Sequence, residues 1–207
     1  MKKKIVNIIG PAKNGTTLLG SLIDSHPQIS SFPLEMKFIE KLNNISPEEL
    51  NSIEFKKKFI ESSKAKLLKK KDNSNEYLNI NVGIFDTPAN LNFQIFQDSF
   101  IKKETKNIEE FIIKIHESLD LSLGIKTRDL IVIQDGNHLL KNDLIKFSLK
   151  NLSNPKFIAL YRNPLDVYVS YKTYSKTLKL WNNNILNFKQ NFLKDYSSII
   201  HYMNKNL

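Results

Sequence analysis

The chain has 207 residues, of which 41% are hydrophobic and 10% aromatic, and a formal net charge of +10. That length and apolar content predict one globular domain, residues 1–207, with a sizeable core. The absence of cysteine excludes disulfides, thiolate metal sites and a cysteine nucleophile, and no stretch approaches the roughly 20 apolar residues of a membrane span.

The charge admits two readings. A basic chain can bind polyanions such as nucleic acid. Yet all but two of the 31 basic residues are lysine, the exceptions being Arg128 and Arg162, and asparagine and isoleucine are also abundant. This is a bias of composition rather than a nucleic-acid signature, and its field favours small anionic ligands. With arginine so scarce, each one calls for a reason.

In chain order, "MKKKIVNIIG" imitates a secretory signal, but its apolar part is only Ile5 to Ile9, broken by Asn7 and closed by Gly10-Pro11. A signal core needs about 7 to 15 residues. The stretch is read as a buried first strand over 4–9, and the protein as cytoplasmic. Residues 16–25 predict a helix with Leu18, Leu19, Leu22 and Ile23 on one face, ended by His26-Pro27. "NISPEEL" carries a helix start, with Ser46 as cap, Pro47 first and Glu49 three after the cap. A lysine-rich helix follows to about Lys70. "YLNINVGIF", 77–85, reads as a strand or an extended loop.

Residues 107–123 predict a helix with Ile108, Phe111, Ile112, Ile115 and Leu119 at helical spacing and Gly124 beyond its end. "DLIVIQD", 129–135, reads as a second buried strand, 139–149 as a helix, and "KFIALYR", 156–162, as a third buried strand. A helix over 163–178 opens with Asn163 as cap and Pro164 at its first position. Residues 182–205 predict a last, polar helix. Strands alternating with helices imply an α/β fold, three layers around a central parallel sheet. Ligands in such sheets sit outside the carboxyl ends of the strands.

The first predicted strand end carries "GPAKNGTTLL". Backbone N–H groups near residues 14–17 would converge at a helix start, where the dipole also favours an anion. Thr16 and Thr17 add hydroxyl donors. A nucleotide triphosphatase loop would place its lysine directly after the second glycine, whereas here Thr16 follows Gly15 and the lysine is Lys13. The third strand end carries Arg162, whose guanidinium can grip phosphate with two hydrogen bonds. On spacing alone it reads equally as a surface residue. Ser170 lies eight positions on.

"GPAKNGTTLLGSLIDSHPQI" and "KFIALYRNPLDVYVSYK" resemble the two signature segments of sulfotransferases that use 3′-phosphoadenosine 5′-phosphosulfate (PAPS). The resemblance covers residues 4–36 and 130–175, and implies a P-loop-like fold. Residues 40–125 match nothing in it and stand as a variable helical, acceptor-side segment. It implies that Lys13, Asn14, Gly15, Thr16 and Thr17 bind the 5′-phosphosulfate of PAPS as co-substrate. Arg162 and Ser170 would hold the 3′-phosphate. Lys13 would stabilise the departing bridging oxygen, with no metal required. Asn14 stands where relatives usually carry a small serine. The relatives' later glycine- and lysine-containing loop has no visible counterpart in "NFKQNFLKDYSSIIHYMNKNL".

The acceptor hydroxyl, on a carbohydrate or small metabolite, must lose a proton. Two bases are candidates: Glu35, shortly after His26-Pro27, and His138, in "QDGNHLL" past the second predicted strand. His26 is read as structural, while His116 and His201 suggest no role. The four histidines have no metal-ligand spacing. Tyr168, Tyr171, Tyr174 and Trp181 read as core, or as a surface on which adenine stacks. The alternatives are a phosphate-loop kinase or nucleotide hydrolase, and a non-catalytic basic binding module on the same fold.

Overall fold

A computed structural model describes residues 3–11, 13–24, 26–32, 41–70, 77–80, 91–134, 141–178 and 185–206. Four strands form one sheet: β1 (Lys4–Ile9), β2 (Ile29–Ser31), β5 (Leu130–Gln134) and β6 (Lys156–Ala159), in the order β2-β5-β1-β6. Every pairing in it is parallel. Helices flank it: α1 (Thr16–Asp24), α2 (Pro47–Asn51), α3 (Ile53–Leu67), α4 (Phe93–Lys102), α5 (Ile108–Ser122), α6 (Lys141–Asn151), α7 (Pro164–Leu178) and α8 (Ile185–Asn206). A short antiparallel pair, β3 (Leu68–Lys70) with β4 (Tyr77–Ile80), stands apart from this sheet. The architecture is the predicted α/β fold around a central parallel sheet.

The strand order positions the site. From β1 the chain crosses β5 to reach β2, whereas from β5 it crosses β1 to reach β6. Connections that leave two neighbouring strands in opposite directions open a crevice at their carboxyl ends, where open α/β sheets take their ligands. The loop after β1 lies at that switch point.

Three expectations change. The helix predicted from Ser46 to about Lys70 is two helices broken at Ser52, whose backbone is extended (ψ 137) and whose hydroxyl accepts from the Phe55 N–H (3.1 Å) to cap α3, and its last residues, Leu68–Lys70, are the strand β3 instead. Ser46 does cap α2, accepting from the Glu49 N–H at 3.2 Å. A fourth strand, β2, was not predicted, nor was α4, which Asn92 caps. β6 was expected to be buried, but among the described residues it pairs only with β1. It alternates exposed and half-buried, and Ile158 is 43% exposed. The run of apolar residues is real, but an edge strand has one neighbour to cover it.

The core lies between the sheet and α3, α4 and α5. The interior strands are buried almost throughout, as in a sheet covered on both faces. Phe111 meets Phe59 and Phe100 edge-on, each at 5.0 Å, and Ile112, Ile115, Ile131 and Ile133 complete the layer. Each such side chain contributes about 1.5–3 kcal/mol by leaving water.

One buried polar network ties β2 to α5. The Ser30 hydroxyl donates to Asp120 Oδ1 (2.9 Å) and lies 3.0 Å from His116 Nδ1. Since that hydroxyl has one proton, already given to Asp120, His116 Nδ1 carries the hydrogen that reaches Ser30. Burial, then the nearby Arg128 and Lys3 cations, push the imidazole pKa from 6.5 down to about 3, so it stays neutral in the fold. The unfolded chain binds a proton below about pH 6.5 that the native state refuses, so stability falls with pH between about 6.5 and 3. Asp24 works in the opposite direction. Burial raises its carboxyl pKa to about 6 despite the lowering influence of Arg128, so it adds stability as pH falls toward its unfolded value of 3.8. Comparison with His116→Gln removes the Asp24 contribution. Between about pH 7 and pH 5, wild type should lose about 2 kcal/mol more stability than His116→Gln in urea unfolding.

Candidate active site

The loop after β1 is shaped by its own backbone. Gly10 runs so close to β6 that a Cβ there would meet the Leu160 carbonyl oxygen and Thr16 Cγ2, each at 3.1 Å. Lys13 sits in the left-handed region (φ 65), rare for a side-chain-bearing residue and concentrated at functional sites. Gly15 follows at φ 93, where other residues would be strained. The first helical bond of α1 runs from the Leu19 N–H to the Gly15 carbonyl (2.9 Å). The amides of residues 16–18 therefore stand ahead of the helical ladder, at the positive end of the helix dipole. Thr16 is buried and Thr17 half-buried.

Lys13 is half-buried, and burial lowers its ammonium pKa below the usual lysine value. Asn14 has another place than an open cradle would give it. Its N–H donates to the Pro11 carbonyl (3.2 Å), and its side-chain Nδ2 donates to the Leu160 carbonyl at the end of β6 (3.0 Å). The loop is thus fastened to the neighbouring strand.

Arg162 comes to the same place from the other side. Leu160 N–H continues the ladder to the Ile9 carbonyl (2.8 Å), and two residues later the Arg162 guanidinium is 3.4 Å from the Lys13 carbonyl oxygen through Nη1. Residues 149 positions apart in sequence are brought into contact. Arg162 is exposed and leads into α7, where Asn163 Oδ1 accepts from the Leu165 N–H (2.9 Å), as expected of a cap. Ser170, half-buried, lies under two turns along α7, about 9 Å of rise from Pro164.

Lys13, Asn14, Gly15, Thr16, Thr17 and Arg162 thus gather at the carboxyl ends of β1 and β6, with Ser170 on the helix that leaves β6. Glu35 and His138 lie outside the described residues, as does Trp181. The side chains of Tyr171 and Tyr174 do as well, while Tyr168 is half-buried on α7.

Two features escaped the sequence reading. Tyr161 packs edge-on to Tyr196 (4.9 Å), which stacks on Phe192 (5.3 Å), so α8 is held beside Arg162. Burial, then Tyr196, raises the Tyr161 hydroxyl pKa. Gln134, at the end of β5, turns its side chain against α1. A Cβ on Gly20 would collide with Gln134 Oε1. The only sequence signal was a polar residue closing the apolar run "LIVIQ". Among the described residues, no three histidine, aspartate or glutamate side chains come together as a metal ion would need. No helix among them is long and apolar enough to cross a membrane.

Comparisons with curated proteins and with solved structures gave no match. The family described as "Sulfotransferase domain" matches residues 3–205, a span that contains the loop, β6 and α7. The chain belongs to the sulfotransferase family.

Proposed function

We propose that the protein transfers a sulfuryl group from PAPS to a hydroxyl of a carbohydrate or small metabolite by in-line displacement. Family membership supports sulfuryl transfer in general. The observation that carries the finer reading is the approach of Arg162 to the Lys13 loop. It brings the Arg162 guanidinium to the backbone of the loop that carries Lys13, an approach that suits a doubly phosphorylated adenosine. The loop suits a phosphate chemically, with helix-start amides, two threonine hydroxyls and an ammonium at its mouth.

In this reading Lys13, Gly15, Thr16 and Thr17 cradle the 5′ end, with Asn14 fastening the loop rather than touching the phosphate, and Arg162 with Ser170 takes the 3′-phosphate. Lys13 meets the negative charge that develops on the bridging oxygen as its bond to sulfur breaks. Glu35 or His138 takes the proton that the acceptor hydroxyl gives up as its oxygen bonds to sulfur.

Thermal unfolding with and without nucleotide tests the reading. Adenosine 3′,5′-bisphosphate at about 100 times its Kd should add about 2.7 kcal/mol. For a chain of this size that raises Tm by roughly 5–10 °C. ATP with magnesium should do much less. Stabilisation by ATP and magnesium alone would point to a phosphate-loop kinase or hydrolase. Salt-dependent nucleic-acid binding with no response to either nucleotide would point to a basic binding module.

A further inference from the structure

Asn14 stands in the chain between Lys13 and the residues whose amides open α1, yet its side chain bonds away from the loop, to the end of β6. Asn14 is 93% buried. Its Nδ2 donates to the Leu160 carbonyl at 3.0 Å, and its Oδ1 has no hydrogen-bond partner among the described residues. Leu160 is the first residue beyond β6 and stands two residues before Arg162. The same carbonyl lies 3.1 Å from where a Gly10 Cβ would be, so loop and strand are in van der Waals contact there. The long Arg162 Nη1 contact to the Lys13 carbonyl (3.4 Å) forms a second crossing one residue away. Two cross-links, from residues 13 and 14 to residues 162 and 160, therefore join the two halves of the site.

The Asn14 bond is the stronger of the two. It is shorter and part-buried, made by a buried side chain, and its loss would take a donor from a half-buried carbonyl. The Arg162 contact is exposed and near the limit of a hydrogen bond. A guanidinium drawn onto a phosphate would leave that carbonyl, whereas Asn14 has no reason to move. The β1–β6 ladder ends at the Leu160 N–H bond to the Ile9 carbonyl (2.8 Å), and beyond it the Asn14 bond is then the tie that holds the Lys13 loop against the end of β6.

We propose that Asn14 is a positioning residue, whose side-chain bond to Leu160 holds the Lys13 loop in register with Arg162, so that one nucleotide engages both anion sites at once. This rests on the PAPS reading above. A serine side chain is shorter by one heavy-atom bond, so the asparagine reaches a carbonyl that a serine at the same backbone position would leave further off.

The test compares titration calorimetry of adenosine 3′,5′-bisphosphate with that of adenosine 5′-monophosphate, on wild type and on Asn14→Ala. The monophosphate engages the loop alone, so its affinity should change by no more than about twofold. Bisphosphate affinity should fall about tenfold, the effect of losing one hydrogen bond of a buried side chain. The ratio of the two Kd values therefore collapses, which a general loss of stability would not produce. Asn14→Leu, similar in shape but without polar atoms, gives the same readout if the alanine variant fails to fold, and should show the same collapse. An unchanged ratio in a folded variant overturns the positioning role and leaves the PAPS reading standing. Failure of wild type to bind the bisphosphate more tightly than the monophosphate overturns both.

Discussion

Lys13→Ala is expected to lower turnover by about 10²–10³-fold while changing donor affinity only slightly. The effect is electrostatic. Loop amides and threonine hydroxyls meet the 5′-phosphate in the ground state as in the transition state. Charge on the bridging oxygen appears only as its bond to sulfur breaks. An ammonium beside that atom is therefore worth more in the transition state than before it, and its removal affects kcat. Lys13 suits this role, since its backbone is held in a left-handed turn and partial burial lowers its ammonium pKa. Arg162→Ala should do the reverse, weakening donor binding with a smaller effect on kcat, because the 3′-phosphate carries the same charge throughout. Steady-state kinetics with the donor varied, together with direct donor binding, separates the two. Equal effects from both variants would contradict the division of labour.

The largest stability effect is expected far from the site, at Asp120. Its carboxylate accepts from the Arg128 N–H (2.8 Å), Nε (3.0 Å) and Nη2 (2.6 Å), and from Ser30. Arg128 and Asp120 are both buried. Asp120→Ala removes the acceptor and leaves a guanidinium in the interior without its hydrogen-bonded carboxylate. That costs about 3–5 kcal/mol, or roughly 10 °C in Tm for a domain of this size. The contrast that identifies the mechanism is the double variant Asp120→Leu with Arg128→Met. It removes both charges and should unfold at a higher temperature than Asp120→Ala alone. Thermal unfolding of the two, side by side, gives the answer. A double variant less stable than the single one would place the effect in the Ser30 and backbone bonds instead.

Much of the site was legible before any coordinates. The loop after β1 reads as an anion cradle because glycine spacing, threonines and a helix start are local features, and local features survive in sequence. The caps at Ser46 and Asn163 were readable for the same reason, each being a side chain that bonds a backbone N–H two or three residues on. What could not be read is pairing across distance. Ser30 and His116 are 86 positions apart, and nothing in "PQISSF" marks a strand, since three residues with two serines carry no period. The edge position of β6 was hidden by its apolar run, which is the same for a strand with one neighbour or two. In contrast, α4 was legible and overlooked. Asn92 caps it (3.0 Å to the Ile95 N–H), and Phe93, Phe96 and Phe100 recur at helical spacing. Arg162 stood out by scarcity, but its contact with the Lys13 carbonyl follows only from the parallel pairing of β1 with β6.

A crystal structure with adenosine 3′,5′-bisphosphate tests the central claim most directly. The 5′-phosphate should lie within hydrogen-bond distance of the amides of residues 15–17, beside Lys13 Nζ, with the 3′-phosphate on the Arg162 guanidinium. A nucleotide bound elsewhere, with neither phosphate on the loop nor on Arg162, would contradict it.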